Sequence, residues 1–484
     1  MPASILVVLL MGLAGWLRIT GLPQEAPWSD ELASYRHLGE PSLLAYLSAE
    51  RAGDGPMVPL YFVLQYFWAH AVGDSVVSVR MLSIVFGVLL VPVMYLLGAR
   101  LFGREAGLLA ALLVALNAMH VQYSQEIRMY SLTFLLAACS VYTLLRVRDD
   151  GRYWWAMHVA VNSCLIFTHL FAVLLLPAEA LFVLLYFRGQ RRVLLWFVLQ
   201  MLLAAPLLAW MQSMPIQHLR EVVTWVPGIS LESVGTMVSW YTGAGGFQVR
   251  DSVPSFLLMI DIPLKAACVL VYVLACVAGG RALARTRHTG WSLLFLWLAV
   301  PVACAAFITV VLQPIFAARY LGFVSLPLHL LLAAAVFGIP GASVRRTCVV
   351  LVIALFSTQA LILLLSRPIR SDWYGVVAQI QRENATLPVL INGTVPADHP
   401  LIAMGQLETV VGCREAVLER VDSVLARGEN LWVVYDPRFH MDPLVLEQHL
   451  DASKVRFRRQ DFAGRHGPLV LYLCGGRAVP GDNS

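Results

Sequence analysis

The chain has 484 residues, 59% hydrophobic and only 13% charged, with a mean hydropathy of +0.71. Soluble domains carry roughly 25% charged residues, so the composition excludes an ordinary soluble protein and indicates an integral membrane protein. The net charge of +5 comes from short arginine-rich stretches dispersed along the chain, which argues against nucleic-acid binding.

The first predicted element is an apolar span over residues 3–20. It has no basic segment before it and no clear cleavage site, so it reads as an uncleaved first span. Beyond it comes an acidic loop, 21–77, in which Glu25, Asp30, Glu31, Glu40, Glu50 and Asp54 outnumber Arg36 and Arg51. An ionised carboxylate is poorly placed in hydrocarbon, so Asp30 and Glu31 must sit at the membrane surface or in a wet cavity.

Within that loop, residues 57–73 are apolar but short and are broken by Gln65 and His70. Further spans of about 20 residues follow near 78–98, 106–122, 129–146, 154–169, 170–187, 193–211, 263–281, 291–312, 320–338 and 346–366. Five basic clusters punctuate them: Arg100/Arg104, Arg146/Arg148/Arg152, Arg188/Arg191/Arg192, Arg281/Arg285/Arg287 and Arg345/Arg346. If 57–73 lies along the surface or re-enters, all five clusters fall on one side, the cytoplasmic one. This predicts about eleven spans, an N-terminus inside and a C-terminal region outside. The outer loops are then 21–77, 120–130, 212–262 and 313–320.

From about residue 370 the composition changes. Short apolar runs at Leu387–Ile391, Leu431–Tyr435 and Leu469–Leu473 read as strands. Helical patterns cover Ser371–Glu383, Glu415–Ala426 and Pro443–Leu450, which together predict a small α/β domain over 370–484 beside a membrane domain over 1–369. Six of the eight cysteines lie in apolar segments, where they pack as small hydrophobes. Cys413 and Cys474 lie in the tail and could pair in an oxidising compartment. Asn384-Ala385-Thr386 and Asn392-Gly393-Thr394 match glycosylation sequons, a short pattern that recurs by chance.

The polar residues outside the basic clusters collect on the outer side. The second outer turn holds Gln125, Glu126, Arg128 and Tyr130 within six residues. His169 ends a span, and Arg319-Tyr320 follows the turn after Gln313. Arg319, a lone cation on the face that topology arginines avoid, has the forked donors suited to a phosphate. Together these groups could transfer a sugar from a lipid phosphate. A carboxylate takes the proton of an acceptor hydroxyl as it attacks the anomeric carbon, and a cation stabilises the departing phosphate. A single displacement inverts the anomeric centre. Asp30 is the candidate base, with Glu31 and Glu126 shaping the pocket and with Arg319, Arg128 and Tyr320 on the phosphate. His169, Gln125 and Tyr130 are candidate substrate contacts. Asp30, Glu31 and Glu126 could hold a divalent cation, although their spacing carries no ligand signature.

The chain resembles the GT-C-type, polyprenyl-phosphate-sugar-dependent glycosyltransferases, in a bacterial family-39-like group similar to protein O-mannosyltransferases and the lipid A aminoarabinose transferase. The stretches that carry the resemblance are Trp28-Ser29-Asp30-Glu31, Gly55-Pro56-Met57-Val58-Pro59-Leu60-Tyr61, Arg80-Met81-Leu82-Ser83 and Leu101-Phe102-Gly103-Arg104. They continue with Tyr123 to Tyr130, Thr168-His169 and Arg319-Tyr320-Leu321. Where relatives often have His-Pro-Pro, this chain has Gly55-Pro56-Met57. The resemblance covers residues 1–340 and implies a multi-pass inner-membrane hexosyl or pentosyl transferase. Asp30 then takes the catalytic acid's place and Glu126 approximately that of the second-loop acid. The acceptor implied is a glycolipid, polysaccharide or protein. Two other readings compete. A transporter or flippase is expected to show internal repeats and mid-span charges, and neither is evident. An assembly protein would act through the tail.

Overall fold

The computed structural model describes all residues except 26, 28, 36, 54–57, 213–225, 227, 246–254, 287, 367–372, 385, 392–406, 410–413, 436–442, 463–468 and 476–484. Trp28, the Gly55-Pro56-Met57 turn, Arg287, Cys413 and the second sequon therefore lie outside the described residues. The chain divides into two compact units. The first comprises Met1–Thr20, His37–Gly246 and Val253–Leu364, the second Gly21–Arg36, Phe247–Ser252 and Leu365–Ser484.

The first unit is helical. In chain order it contains α1 (Ala3–Ile19), α3 (Leu43–Gly53), α4 (Leu60–Val72), α5 (Val76–Phe102), α6 (Arg104–Leu116), α7 (Ala118–Ser124), α8 (Tyr130–Asp150), α9 (Arg152–Thr168), α10 (Leu175–Tyr186), α11 (Gln190–Gln212), α12 (Leu231–Tyr241), α13 (Ser255–Thr286), α14 (Thr289–Val311), α15 (Ser325–Phe337) and α16 (Ala342–Leu365). The short α2 (Ser29–Tyr35) belongs to the second unit.

Among the described residues seven helices are long and apolar enough to cross a membrane, or eight if the bent pair α6–α7 is one span. Leu170–Tyr186 and Gly322–Phe337 are shorter apolar helices, and the remaining expected span coincides with α9. The 57–73 stretch forms α4, 13 residues long. At 1.5 Å per residue that is about 20 Å, too short for the hydrocarbon core.

The segment expected as one span at 106–122 is instead broken, with α6 and α7 meeting at 59°. Asn117 supplies the break. Its backbone is extended, and its side-chain oxygen accepts from the His120 amide to start α7. Just before it, α5 and α6 pack at backbone contact. A Cβ on Gly98 would lie 2.6 Å from the Gly107 Cα, so only glycine admits this approach.

Contacts between helix ends group the basic clusters together. Arg100 pairs with Asp149 at 2.7 Å, and Phe102 packs on Trp291 with centroids 4.7 Å apart. Arg104 donates to the Met1 carbonyl at 2.7 Å. The opposite end gathers α7, α12 and the turn before Arg319. There Tyr123 faces Trp240, Asn117 donates to the Tyr241 carbonyl, and Tyr241 donates to the Ala318 carbonyl.

In the second unit, α17 (Trp373–Asn384), α18 (Arg414–Leu425) and α19 (Pro443–Ala452) accompany five strands: β1 (Val389–Ile391), β2 (Leu407–Thr409), β3 (Leu431–Tyr435), β4 (Arg456–Phe462) and β5 (Leu469–Gly475). The order is β2-β1-β3-β5-β4, with β1 parallel to β2 and β3, and β5 antiparallel to β3 and β4. Each face buries its own core. Leu390, Val433 and Tyr472 pack with Val417, Val421 and Leu450, while Ile391, Trp432 and Val434 pack with Trp373, Val376 and Ile380. Coverage on both sides explains why β3 and β5 are continuously apolar. Cys474 is buried in β5, and burial pushes its thiol up to about 12.

Candidate functional site

The site begins with a buried arginine. Arg18, at the end of α1, is fully buried. It donates to the Ser124 hydroxyl at 3.0 Å and to the carbonyls of Ala14, Ala115 and Val114 at 3.1–3.3 Å. The last carbonyls of α6 have no intrahelical partner, and the guanidinium supplies one where the helix breaks. Gly87 makes room for it, since a Cβ there would lie 2.9 Å from Arg18 Nε. Gln125 then donates to the Arg18 carbonyl at 2.7 Å. The turn carrying Glu126 and Arg128 is thereby fastened to α1 through the Gln125 amide nitrogen.

From that turn an aromatic series runs across three helix junctions. Tyr123 packs on Tyr130 with centroids 4.7 Å apart, and Tyr130 faces His169 at 5.8 Å. His169 faces Tyr320 at 5.9 Å, and Tyr320 stacks on Phe171 at 4.5 Å. The Arg319 guanidinium lies 5.5 Å from the Tyr320 ring centre. His169 lies in the electrostatic field of both Arg128 and Arg319. The structure thus gathers Arg128, Tyr130, His169, Arg319 and Tyr320, residues drawn from three sequence-distant stretches. Glu126 is buried in the same turn as Arg128.

Further buried polar groups lie on α3, α4 and α5, and none of them was a candidate site residue from the sequence. Tyr46 and Glu50 on α3 are buried, as are Tyr61 on α4 and Arg80 and Ser83 on α5. Burial, with Glu50 and Tyr61 nearby, pushes the Tyr46 phenol well above its ordinary range, while the Arg128 charge opposes the rise. Arg80 and Ser83 belong to the Arg80-Met81-Leu82-Ser83 stretch, whose spacing alone suggested no role.

In the second unit Asp30 and Glu31 occupy the first turn of α2, where a helix favours negative charge. Asp30 is half-buried and Glu31 fully buried. Among the described residues no three His, Cys, Asp or Glu side chains are gathered as metal ligands. Chemically, the first unit offers two guanidiniums beside buried aromatic rings, a setting that binds a phosphate through fixed forked donors and a sugar through ring faces.

Comparison with known proteins agrees with this architecture. Residues 54–210 match the family model described as dolichyl-phosphate-mannose-protein mannosyltransferase. No curated protein matches the chain by sequence. Among solved structures, ArnT from Cupriavidus metallidurans in the apo state superposes with a TM-score of 0.58 at 12% identity, over 97% of this chain and 98% of that one. The same protein bound to undecaprenyl phosphate gives 0.55 at 14% identity, with the same coverage. The archaeal oligosaccharyltransferase AglB from Archaeoglobus fulgidus, in complex with an inhibitory peptide and a dolichol-phosphate, gives 0.50 at 12% identity, over 90% of this chain and 69% of that one. The fold is the GT-C type, and the family model covers about a third of the chain.

Proposed function

We propose that this GT-C-type chain moves a hexosyl or pentosyl group from a polyprenyl phosphate to an acceptor hydroxyl on the outer face of a bacterial inner membrane, inverting the anomeric centre. The observation that carries the reading is the cluster of Arg128, Arg319, Tyr320 and His169 at one end of the bundle. It is supported by a neighbour of the same fold that binds undecaprenyl phosphate.

In this reading Asp30 accepts the proton of the acceptor hydroxyl as its oxygen attacks the anomeric carbon. The bond to the phosphate breaks, and its electrons and charge pass to the leaving lipid phosphate. Arg319 and Arg128 stabilise that charge through hydrogen bonds that strengthen as it develops. Glu31 sets the field beside Asp30, and Glu126 that beside Arg128. The leaving group is already a stable anion, so no general acid is needed. The acceptor is a glycolipid, a polysaccharide or a protein.

The test offers purified wild type and Asp30→Asn a panel of radiolabelled polyprenyl-phosphate sugars together with host membrane extract. Label that reaches an acceptor only with wild type identifies the sugar and the base together. Folded wild-type protein that transfers from none of the donors overturns the reading in favour of a transporter.

A further inference from the structure

At the end of the first unit where the basic clusters gather, helix ends enclose a polar cavity of about 520 Å³. Arg148 and Asp149 line it from the end of α8, Leu185 from α10, Arg188 from the turn that follows, Arg192 from the first turn of α11, and Thr289 from the start of α14. The 21 residues of α8 separate this cavity from Tyr130, about 30 Å along the helix. The cavity is therefore distinct from the aromatic cluster.

Its charge is unbalanced. Asp149 is already shared, accepting from Arg148 Nε at 2.8 Å and from Arg100 at 2.7 Å. The Arg188 and Arg192 guanidiniums have no hydrogen-bond or ion-pair partner among the described residues, although the Arg192 backbone N–H donates to the Gly189 carbonyl. The positive end of the α14 dipole, at Thr289, adds to the same sign. Convergent forked donors around a polar hollow match a phosphate group, with more than one oxygen to share between them.

The surroundings indicate which phosphate. Leu185, on the cavity wall, is 64% exposed, and Leu184, Leu194 and Leu195 on the same two helices are exposed as well. In a membrane bundle such a surface lies against acyl chains, so a lipid can place its head in the hollow and its tails along α10 and α11. We propose that this cavity is a binding site for the headgroup phosphate of an anionic phospholipid, separate from the site of sugar transfer.

Native mass spectrometry of the full-length protein tests this with dioleoyl phosphatidylglycerol, dioleoyl phosphatidylcholine and inorganic phosphate as probes. Wild type should bind phosphatidylglycerol at least tenfold more tightly than phosphatidylcholine. Arg188→Gln/Arg192→Gln should remove that preference, and the charge-matched Arg281→Gln/Arg285→Gln should retain it. Equal binding of the two lipids to wild type overturns the proposal without recourse to any variant. An equal loss in both double variants does so too, because it reduces the effect to diffuse electrostatics. Phosphate binding with no lipid preference assigns the hollow to a soluble phosphate compound and likewise overturns it.

Discussion

Ser83 donates its hydroxyl proton to the carbonyl of Arg128 at 3.3 Å, and the same hydroxyl oxygen lies 2.9 Å from that of Tyr61. A serine has one proton to give, so the direction of both bonds is fixed: Tyr61 donates to Ser83, and Ser83 donates onward. Helices α4 and α5 thereby hold the turn that presents the Arg128 guanidinium. Ser83→Ala should lower stability by about 1 kcal/mol and raise KM for the lipid donor more than it lowers kcat. Thermal unfolding in detergent and donor titrations read the two effects. An unchanged KM would show that the turn keeps its place without this bond.

Arg319 is expected to matter through geometry as well as charge. Arg319→Ala should lower kcat/KM for a polyprenyl-phosphate sugar by roughly 10²–10³-fold, the range for losing a donor to developing charge. Arg319→Lys should recover only part of this, because an ammonium cannot offer two parallel donors. Full recovery by lysine would reduce the role of Arg319 to that of a point charge.

Gly87 tests the packing around Arg18. An alanine Cβ there would lie 2.1 Å from the Ser124 hydroxyl as well as close to the guanidinium. Gly87→Ala should therefore cost about 1–3 kcal/mol by displacing both groups. Arg18→Met should cost about 3 kcal/mol or more, since it strips the partners from the last carbonyls of α6. Wild-type melting of both variants would contradict the arrangement.

Glu179, buried on α10, meets Ser140 Oγ at 2.5 Å and Asn162 Nδ2 at 3.1 Å. Ser140 also contacts the Asn162 side-chain oxygen. One serine proton cannot serve both acceptors, and a protonated carboxyl would complete the set by donating to Ser140. Glutamine reproduces that donor and acceptor pair. Glu179→Gln should stay within about 1 kcal/mol of wild type, whereas Glu179→Ala should lose about 3 kcal/mol by leaving Asn162 and Ser140 unsatisfied. Severe destabilisation by glutamine would show that the group is ionised.

The sequence was most legible where burial is uniform. Every expected apolar span is helical, with 106–122 divided between α6 and α7, and Leu431–Tyr435 appears as β3 with the same bounds, because a strand covered on both faces reads as one hydrophobic run. Strand β4 was missed for the converse reason. It lies at the sheet edge, and Arg456, Arg458 and Arg459 hide any apolar pattern. Arg319 stood out because a lone arginine is unusual on that side, and Arg128 because it shares one short turn with Gln125, Glu126 and Tyr130. Arg18 did not, because it stands inside the first apolar span with no second charged group beside it in sequence. Only the fold reveals that Arg18 is spent on the broken end of α6. The Asn117 break was obscured by the apolar residues on both sides of it.

The long reach of Arg18 also has a temporal side. Its partner Ser124 lies 106 residues downstream, a stretch that takes roughly 5–20 s to synthesise at 5–20 residues per second. During that interval α1 exists with a guanidinium that has the Ala14 carbonyl but none of its downstream partners. The nascent helix must keep this group in contact with water or lipid phosphates at the membrane surface, and it can settle to its final depth only when α6 and α7 arrive. Helix α1 is thus completed only after α6 and α7 have been made.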